Sequence, residues 1–242
     1  ALFTRMNSTF LPTEDQGVMM AQVNLSEGTT AQQTLAVVEE IKALGSDAVA
    51  NDADVKRAFA GVTSVMHIPP RFREDEAKIG LRVLKAAVEA KVGHFVFSSV
   101  FHPQMRDMEH HFNKLVVEEA LIDSGLSFTI LQPAMFMQNI RLEWPGIRDR
   151  GVYLRPYSPD QRMALIDTED YGEAAARVLT EPGYRGAIFE LAGPDQLTTA
   201  EMAAVIAEEW GKPVRAEKRS IEDWKAWAKA QNWNTWSIEA YA

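Results

Sequence analysis

The chain has 242 residues, of which 46% are hydrophobic and 24% are charged, a balance typical of a globular domain with a sizeable core. It has no cysteine, which excludes disulfides, thiolate nucleophiles and zinc–thiolate sites. A net charge of −9 argues against nucleic acid and anionic lipid as partners, because both need a basic surface. No window approaches the roughly 20 apolar residues of a membrane span, and the first residues lack the build of a signal peptide. We therefore expect a cytoplasmic protein.

The first half of the chain predicts strands that alternate with helices. The apolar run at 17–25 predicts a strand, and apolar residues then recur at helical spacing from Ala31 to Ile41. Further strands are predicted at 46–51, 63–68, 94–99 and 127–131, and helices at about 75–91 and 108–124, with a short helix after Asp54. Strands that alternate with helices of roughly 10–15 residues indicate βαβ units on a parallel sheet with helices on both faces.

The pattern is looser beyond Gln132. Helices are predicted at 168–179 and 198–210, with a strand at 187–191 between them, and Asp167 is expected to cap the first of these helices. Five of the six tryptophans fall in the last 33 residues. They either pack a small C-terminal subdomain or line an aromatic substrate pocket.

A series of short motifs carries a family resemblance. In chain order they are AFAGV at 58–62, VMHIPP at 65–70, FVFSS at 95–99, HFNK at 111–114, SGLSFTILQP at 124–133, FMQN at 136–139, IDTED at 166–170 and LAGP at 191–194. With them, the chain from about Leu44 onward resembles the NmrA-like branch of the atypical short-chain dehydrogenase/reductase proteins. The resemblance implies a Rossmann-like parallel sheet, a small C-terminal α+β subdomain, NAD or NADP as cofactor and, if the chain is active, an NAD(P)-dependent oxidoreductase.

The first forty residues carry a different resemblance. FLPTEDQG at 10–17, QVNL at 22–25 and GTTAQQT at 28–34 resemble a periplasmic porter segment of resistance-nodulation-division efflux pumps. We expect residues 1–40 to be a transplanted strand and helix that replaces the first βα unit, with the junction between Val37 and Gly45 and no pumping activity. Residues 41–150 would then form the NmrA-like core, and residues 151–242 the C-terminal, substrate-side subdomain.

The replacement removes the site for the dinucleotide pyrophosphate. A Rossmann-type fold holds pyrophosphate at a glycine-rich turn that opens the first helix. None of the fourteen glycines forms such a motif. If the strand at 17–25 takes the first position, in a parallel order 2-1-3-4-5, then Gly28 and Thr29 stand where phosphate would bind, and Glu27 opposes it. We expect weak binding of NADP or NAD, or none.

The catalytic residues implied by the resemblance are also atypical. No tyrosine is followed four residues later by lysine, the pair in which lysine assists proton transfer by the phenol. His110 and Lys114 lie one helical turn apart instead, and the resemblance implies that Lys114 contacts the nicotinamide ribose. His110 or His111 is a candidate acid or base near neutral pH. The alternative is that this pair lies on a solvated helix face. Ser98 is the third catalytic candidate, and capping the next loop is its alternative role.

The remaining candidates follow predicted strands. The resemblance places cofactor contacts at Asp52, Ile68, Pro69, Ser99, Lys114 and Pro133, and substrate contacts at Phe136, Met137 and Asn139. His67 and His94 belong to predicted strands and are expected to be structural. The spacing of the histidines does not match a zinc pattern, so no metal is predicted.

Three functions remain open at this point. The leading hypothesis is an NmrA-like protein with impaired or absent NAD(P)-dependent activity. The alternatives are an NAD(P)H-dependent reductase of small carbonyl or quinone substrates and a redox-sensing regulatory binding protein. An incomplete sheet also leaves an edge that can pair with a second copy, so a homodimer is a further expectation.

Overall fold

A computed structural model of the chain describes residues 61–70 and 73–241, together with residue 59 and the backbone of residues 19–22. The strands are β1 (Met19–Gln22), β2 (Ser64–Ile68), β3 (His94–Ser98), β4 (Phe128–Pro133), β5 (Met135–Phe136), β6 (Val152–Arg155), β7 (Arg162–Ile166), β8 (Ala187–Leu191), β9 (Gln196–Thr198) and β10 (Arg215–Lys218). The helices are α1 (Glu76–Glu89), α2 (Glu109–Asp123), α3 (Ile140–Arg150), α4 (Thr168–Thr180), α5 (Thr199–Trp210), α6 (Ile221–Ala230) and α7 (Thr235–Tyr241).

The main sheet has the order β1-β2-β3-β4-β8, and strands β2, β3, β4 and β8 run parallel. This confirms the predicted Rossmann-like class. Successive side chains of β3 enter opposite layers, because side chains alternate along a strand. Phe95 and Phe97 pack against α1 and α2, whereas Val96 packs against Tyr171 and Ala175 of α4. All five residues of β3 are buried, which is the continuous apolar pattern of a central parallel strand.

The first strand lies where it was predicted but runs in the opposite direction. β1 neighbours β2, and the pairing is antiparallel, with Met19 opposite Ile68 and Gln22 opposite Val65. The expectation that β1 belongs to the parallel part of the sheet is therefore wrong. The sequence does not predict the direction of a strand, because side chains alternate in the same way along a strand in both directions. The strand predicted at 46–51, the helix predicted from Ala31 and residues 55–58 of the short helix predicted after Asp54 lie outside the described residues.

Helices α1 and α2 pack closely against each other on one face of the sheet. Gly80 of α1 permits this approach, because a Cβ atom there would lie 2.6 Å from Val117 Cγ2 of α2. No helix in the ranges 61–70 and 73–241 combines the length and the apolar character needed to cross a membrane.

The C-terminal part contains two small sheets, β5-β7-β9 and β6-β10. Asp167 caps α4 as predicted, since its Oδ1 accepts a hydrogen bond of 2.7 Å from the Glu169 amide. Gly151 ends α3 in the left-handed conformation, with φ of 64°. Trp224, Trp227 and Trp233 pack together between α6 and α7, in agreement with the packing role considered for the tryptophans.

Candidate functional site

The carboxyl ends of β2, β3 and β4 form one edge of the sheet. Ile68, Ser98 and Pro133 are the last residues of these strands, and the amide of Ser99 donates a hydrogen bond of 2.8 Å to the Leu131 carbonyl. Folds of this class bind their ligands outside this edge. The predicted contacts Ile68, Pro69, Ser98, Ser99 and Pro133 therefore come together. Of the other predicted cofactor contacts, Gly28, Thr29 and Asp52 lie outside the described residues.

Ser98 is held at this edge by a residue that sequence reasoning missed. Tyr171 of α4 is 8% exposed, and its hydroxyl donates a hydrogen bond of 2.5 Å to Ser98 Oγ. Burial raises the pKa of Tyr171, so the phenol stays protonated and remains a donor. The aromatic ring of Phe136, a predicted substrate contact, meets the Tyr171 ring edge-on at 5.4 Å. No local pattern links residues that are 73 positions apart.

Lys114 forms an ion pair with Glu76, which projects from the first turn of α1. The side chain of Glu76 is 2% exposed and that of Lys114 is 15% exposed. Burial raises the pKa of Glu76, because a carboxylate loses its hydration there, while the Lys114 ammonium opposes this rise. The predicted alternatives for Lys114 were a ribose contact and a solvated position. Glu76 was not predicted as its partner.

A second buried carboxylate lies one helical turn after Lys114. Glu118 is 3% exposed, and both of its oxygens accept hydrogen bonds from Gln132 Nε2 of β4, at 2.9 and 3.0 Å. Burial raises the pKa of Glu118. This contact fixes α2 against the sheet beside the carboxyl edge, because it joins a helix residue to the penultimate residue of β4.

His110 is buried beneath the C-terminal helix. Its ring stacks on the Tyr241 ring of α7, with centroids 4.8 Å apart and planes 6° from parallel, and it contacts the Ala240 backbone. Burial lowers the pKa of His110 to about 3, so the imidazole is neutral at neutral pH. The ring of His111 stands edge-on to it, and burial lowers the pKa of His111 as well. The alternative of a solvated helix face is wrong for His110, because α7 covers it.

The predicted substrate contacts follow β4 directly. Phe136 is half-buried on β5, Met137 is 41% exposed, and Asn139 ends the short 3-10 helix that precedes α3. Gln138 anchors this segment, since its Nε2 donates to Asp167 Oδ2 at 2.9 Å and its Oε1 accepts from the Thr168 amide at 3.2 Å. The segment therefore lies between the sheet edge and the start of α4.

His67, expected to be structural, lies inside the sheet. Its side chain is fully buried and stacks on Phe97, with centroids 5.7 Å apart. Among the described residues neither ring nitrogen has a hydrogen-bond partner. Burial, together with the positive charge of Lys114, lowers the pKa of His67 to about 3.

The direction of β1 decides whether a dinucleotide pyrophosphate fits the described residues. A phosphate-binding turn follows the carboxyl end of a strand that runs parallel to its neighbours. In this chain β1 ends at Gln22 opposite Val65, at the amino end of β2. β1 therefore ends at the edge of the sheet opposite Ile68 and Ser98. The described part of the chain does not fit the pyrophosphate.

Comparison with known proteins agrees with this architecture. The sequence model of the NmrA-like family matches residues 8–231. The chain belongs to the NmrA-like family. This NmrA-like chain is 29% identical to the NAD(P)H azoreductase of Xenophilus azovorans, over 78% of its own length and 68% of that enzyme. It superposes on the NADPH complex of quinone oxidoreductase QOR2 from Escherichia coli with a TM-score of 0.73 and 25% identity, covering 85% of this chain and 74% of that one.

The NmrA-like chain also shares its fold with NmrA, a negative transcriptional regulator solved in complex with NAD. The TM-score is 0.62 at 17% identity, over 76% of this chain and 63% of that one. The family match starts at residue 8, inside the segment predicted to come from an efflux pump. The fold is thus that of NAD(P)-binding NmrA-like proteins, and the origin of residues 1–40 stays a prediction.

Proposed function

We propose that this NmrA-like chain lacks the pyrophosphate half of its nucleotide site and is therefore impaired as an NAD(P)-dependent enzyme. The antiparallel pairing of β1 with β2 carries this proposal. β1 ends at Gln22, at the edge of the sheet opposite the one where Ser98 and Ser99 lie. The catalytic candidate Ser98, the cofactor candidate Ser99 and the substrate candidate Phe136 remain together at the carboxyl ends of the strands in this proposal.

The sequence supports the same conclusion independently of the fold. Main-chain amides approach a pyrophosphate closely only where glycine removes the side chains, and the chain has no glycine-rich turn of that kind. Glu27, the nearest charged residue after β1, would repel a phosphate. The loss of a double phosphate contact removes charge-assisted hydrogen bonds, which are the strong contacts of such sites.

Residues 1–40 are, in this proposal, a strand and helix derived from an efflux-pump porter segment. A strand that evolved in another protein is under no requirement to run parallel to β2, which accounts for its reversed direction. Replacement of residues 1–44 by the first βα unit of a family relative tests this origin. The grafted chain should gain NADPH binding, whereas a graft that leaves binding unchanged would argue against the proposal.

The second candidate function is an NAD(P)H-dependent reductase of small carbonyl or quinone substrates. The likeness to the NADPH complex of quinone oxidoreductase QOR2 favours this function. In it, Lys114, His110 and Ser98 of this chain are the catalytic residues. The ion pair between Lys114 and Glu76 weighs against a catalytic role for Lys114. The ring of Tyr241, which stacks on His110, weighs against a catalytic role for His110. The regulatory alternative has the fold of NmrA as its support.

The deciding assay follows NADPH oxidation at 340 nm with 1,4-benzoquinone as substrate, against a blank without protein. The impaired protein should give no oxidation above the blank. NADPH oxidation above the blank would contradict the impaired function. It would support the reductase if Ser98→Ala reduced the rate and the exposed control Arg215→Ala left the rate unchanged.

A further inference from the structure

A groove of about 310 Å³ lies between α3 and α6, and none of its lining residues belongs to the carboxyl edge of the sheet. Leu142, Pro145 and Trp227 provide apolar walls, and Arg150 and Arg219 provide charge. The volume lies at the lower end of the range of small-molecule sites, roughly 300–1,000 Å³. The groove is therefore of a size that suits a single aromatic ring with one polar group.

Arg219 forms the charged floor of this groove. Its Nη2 donates a hydrogen bond of 2.9 Å to Glu143 Oε2, and the two side chains are 8% and 6% exposed. The guanidinium carbon lies 4.8 Å from the centre of the Trp227 ring. Among the described residues the Nη1 atom of Arg219 has no hydrogen-bond partner, although it is buried. A buried charged donor without an acceptor is costly, and an acceptor that entered the groove would remove this cost.

The lining of the groove holds two carboxylates, Glu143 and Asp149, and two guanidinium groups, Arg150 and Arg219, and further arginines lie around it. The single Glu143 carboxylate interacts electrostatically with three guanidinium groups, those of Arg219, Arg155 and Arg150. Asp149 lines the groove too, but its carboxylate is engaged by the neighbouring Arg148, at 2.6 Å. Asp149 interacts with Arg150 as well, so two carboxylates face the four guanidinium groups of Arg219, Arg155, Arg150 and Arg148, and the local field still favours an anion.

We propose that this groove binds a small planar carboxylate. The carboxylate accepts hydrogen bonds from Arg219 Nη1 and from Arg150, and the ring lies against Trp227, Leu142 and Pro145. A carboxylate suits this position because guanidinium–carboxylate hydrogen bonds are charge-assisted and directional. An apolar ring suits the walls, because burial of apolar surface stabilises the complex in proportion to the area removed from water.

Calorimetric titration of the full chain with benzoate tests the proposal, with benzyl alcohol as the uncharged analogue and inorganic phosphate as the anion without a ring. Benzoate should bind with a dissociation constant of about 1 mM or tighter, and each of the two analogues about tenfold more weakly. Absence of benzoate binding, or phosphate binding as tight as benzoate, would overturn the assignment.

Three variants locate the site. Arg150→Ala removes an exposed cation and should weaken benzoate about threefold to tenfold, whereas Glu143→Gln removes the competing carboxylate and should strengthen it. Arg215→Ala removes an exposed arginine of β10 that does not line the groove, so it is the matched control and should change nothing. The proposal is overturned if Arg150→Ala leaves the affinity for benzoate unchanged. Because Arg150 is exposed, this test remains available even if Glu143→Gln fails to fold.

Discussion

Lys114 of α2 is paired with Glu76 of α1 at the interface that these two helices form on one face of the sheet. The pair joins residues 38 positions apart and leaves little of either side chain exposed. A lysine in such a pair anchors one helix to another. Its ammonium group is already engaged, and a ribose contact would require it to leave a buried carboxylate without a partner.

Removal of Lys114 alone should therefore destabilise the protein. In Lys114→Met the Glu76 carboxylate stays buried without its cation, which should lower the free energy of unfolding by about 3 kcal/mol. The double variant Glu76→Leu/Lys114→Met should recover most of this loss, because it replaces both charges. Urea denaturation of the two variants measures the difference, and a loss below about 1 kcal/mol in the single variant would show that the pair is not buried in solution.

The hydroxyl contact between Tyr171 and Ser98 should contribute to stability as a pair. Tyr171→Phe removes the donor and should lower the free energy of unfolding by about 1 to 2 kcal/mol, and Ser98→Ala should act similarly. The double variant should cost less than the sum of the two, because each single variant breaks the same hydrogen bond. Additive losses in thermal denaturation would contradict a direct contact.

Buried His67 should make the fold sensitive to acid. Its folded pKa of about 3 lies below the ordinary value of 6.5, so between these pH values the unfolded chain binds a proton that the folded chain does not. Stability from this group is thus complete above pH 6.5 and declines, by up to about 1.4 kcal/mol per pH unit, as the pH falls toward 3. His67→Phe should flatten that decline. His102→Asn at an exposed position is the control, and an identical pH dependence in both variants would contradict the burial of His67.

Tyr241 should control the protonation of His110. Tyr241→Ala removes the ring that stacks on the imidazole, and the pKa of His110 should rise from about 3 toward 6.5 as water reaches it. Titration of the histidine ring protons by nuclear magnetic resonance follows this change directly. Tyr184→Ala, in which a tyrosine that packs on Phe189 is removed, should leave the His110 titration unchanged. A His110 pKa near 6.5 in the unmodified chain would contradict the packing of α7.

The sequence predicted those parts of the fold that repeat locally. β3 and α4 were predicted within a residue or two of their ends, because apolar residues recur there at the period of a strand or helix. α3 was missed, since Pro145 and Gly146 in its middle are typical of a break in a helix. The direction of β1 was missed because alternation does not encode direction.

The contacts of the candidate site were harder to predict, because they join distant positions. Ser98, Ser99 and Phe136 were found from their places after strands. Tyr171 and Glu76, which hold Ser98 and Lys114, carry no motif. The burial of His110 depends on a helix at the far end of the chain. Such pairings follow from tertiary packing, and one sequence does not contain that information in any local pattern.

The reversed direction of β1 underlies the proposed loss of the pyrophosphate site. Calorimetric titration of the purified chain with NADPH tests it most directly, with NADH in parallel. We predict no saturable heat for either nucleotide in the micromolar range. A micromolar dissociation constant for NADPH would contradict the account, because it would require a phosphate-binding turn at the edge where β2, β3 and β4 end.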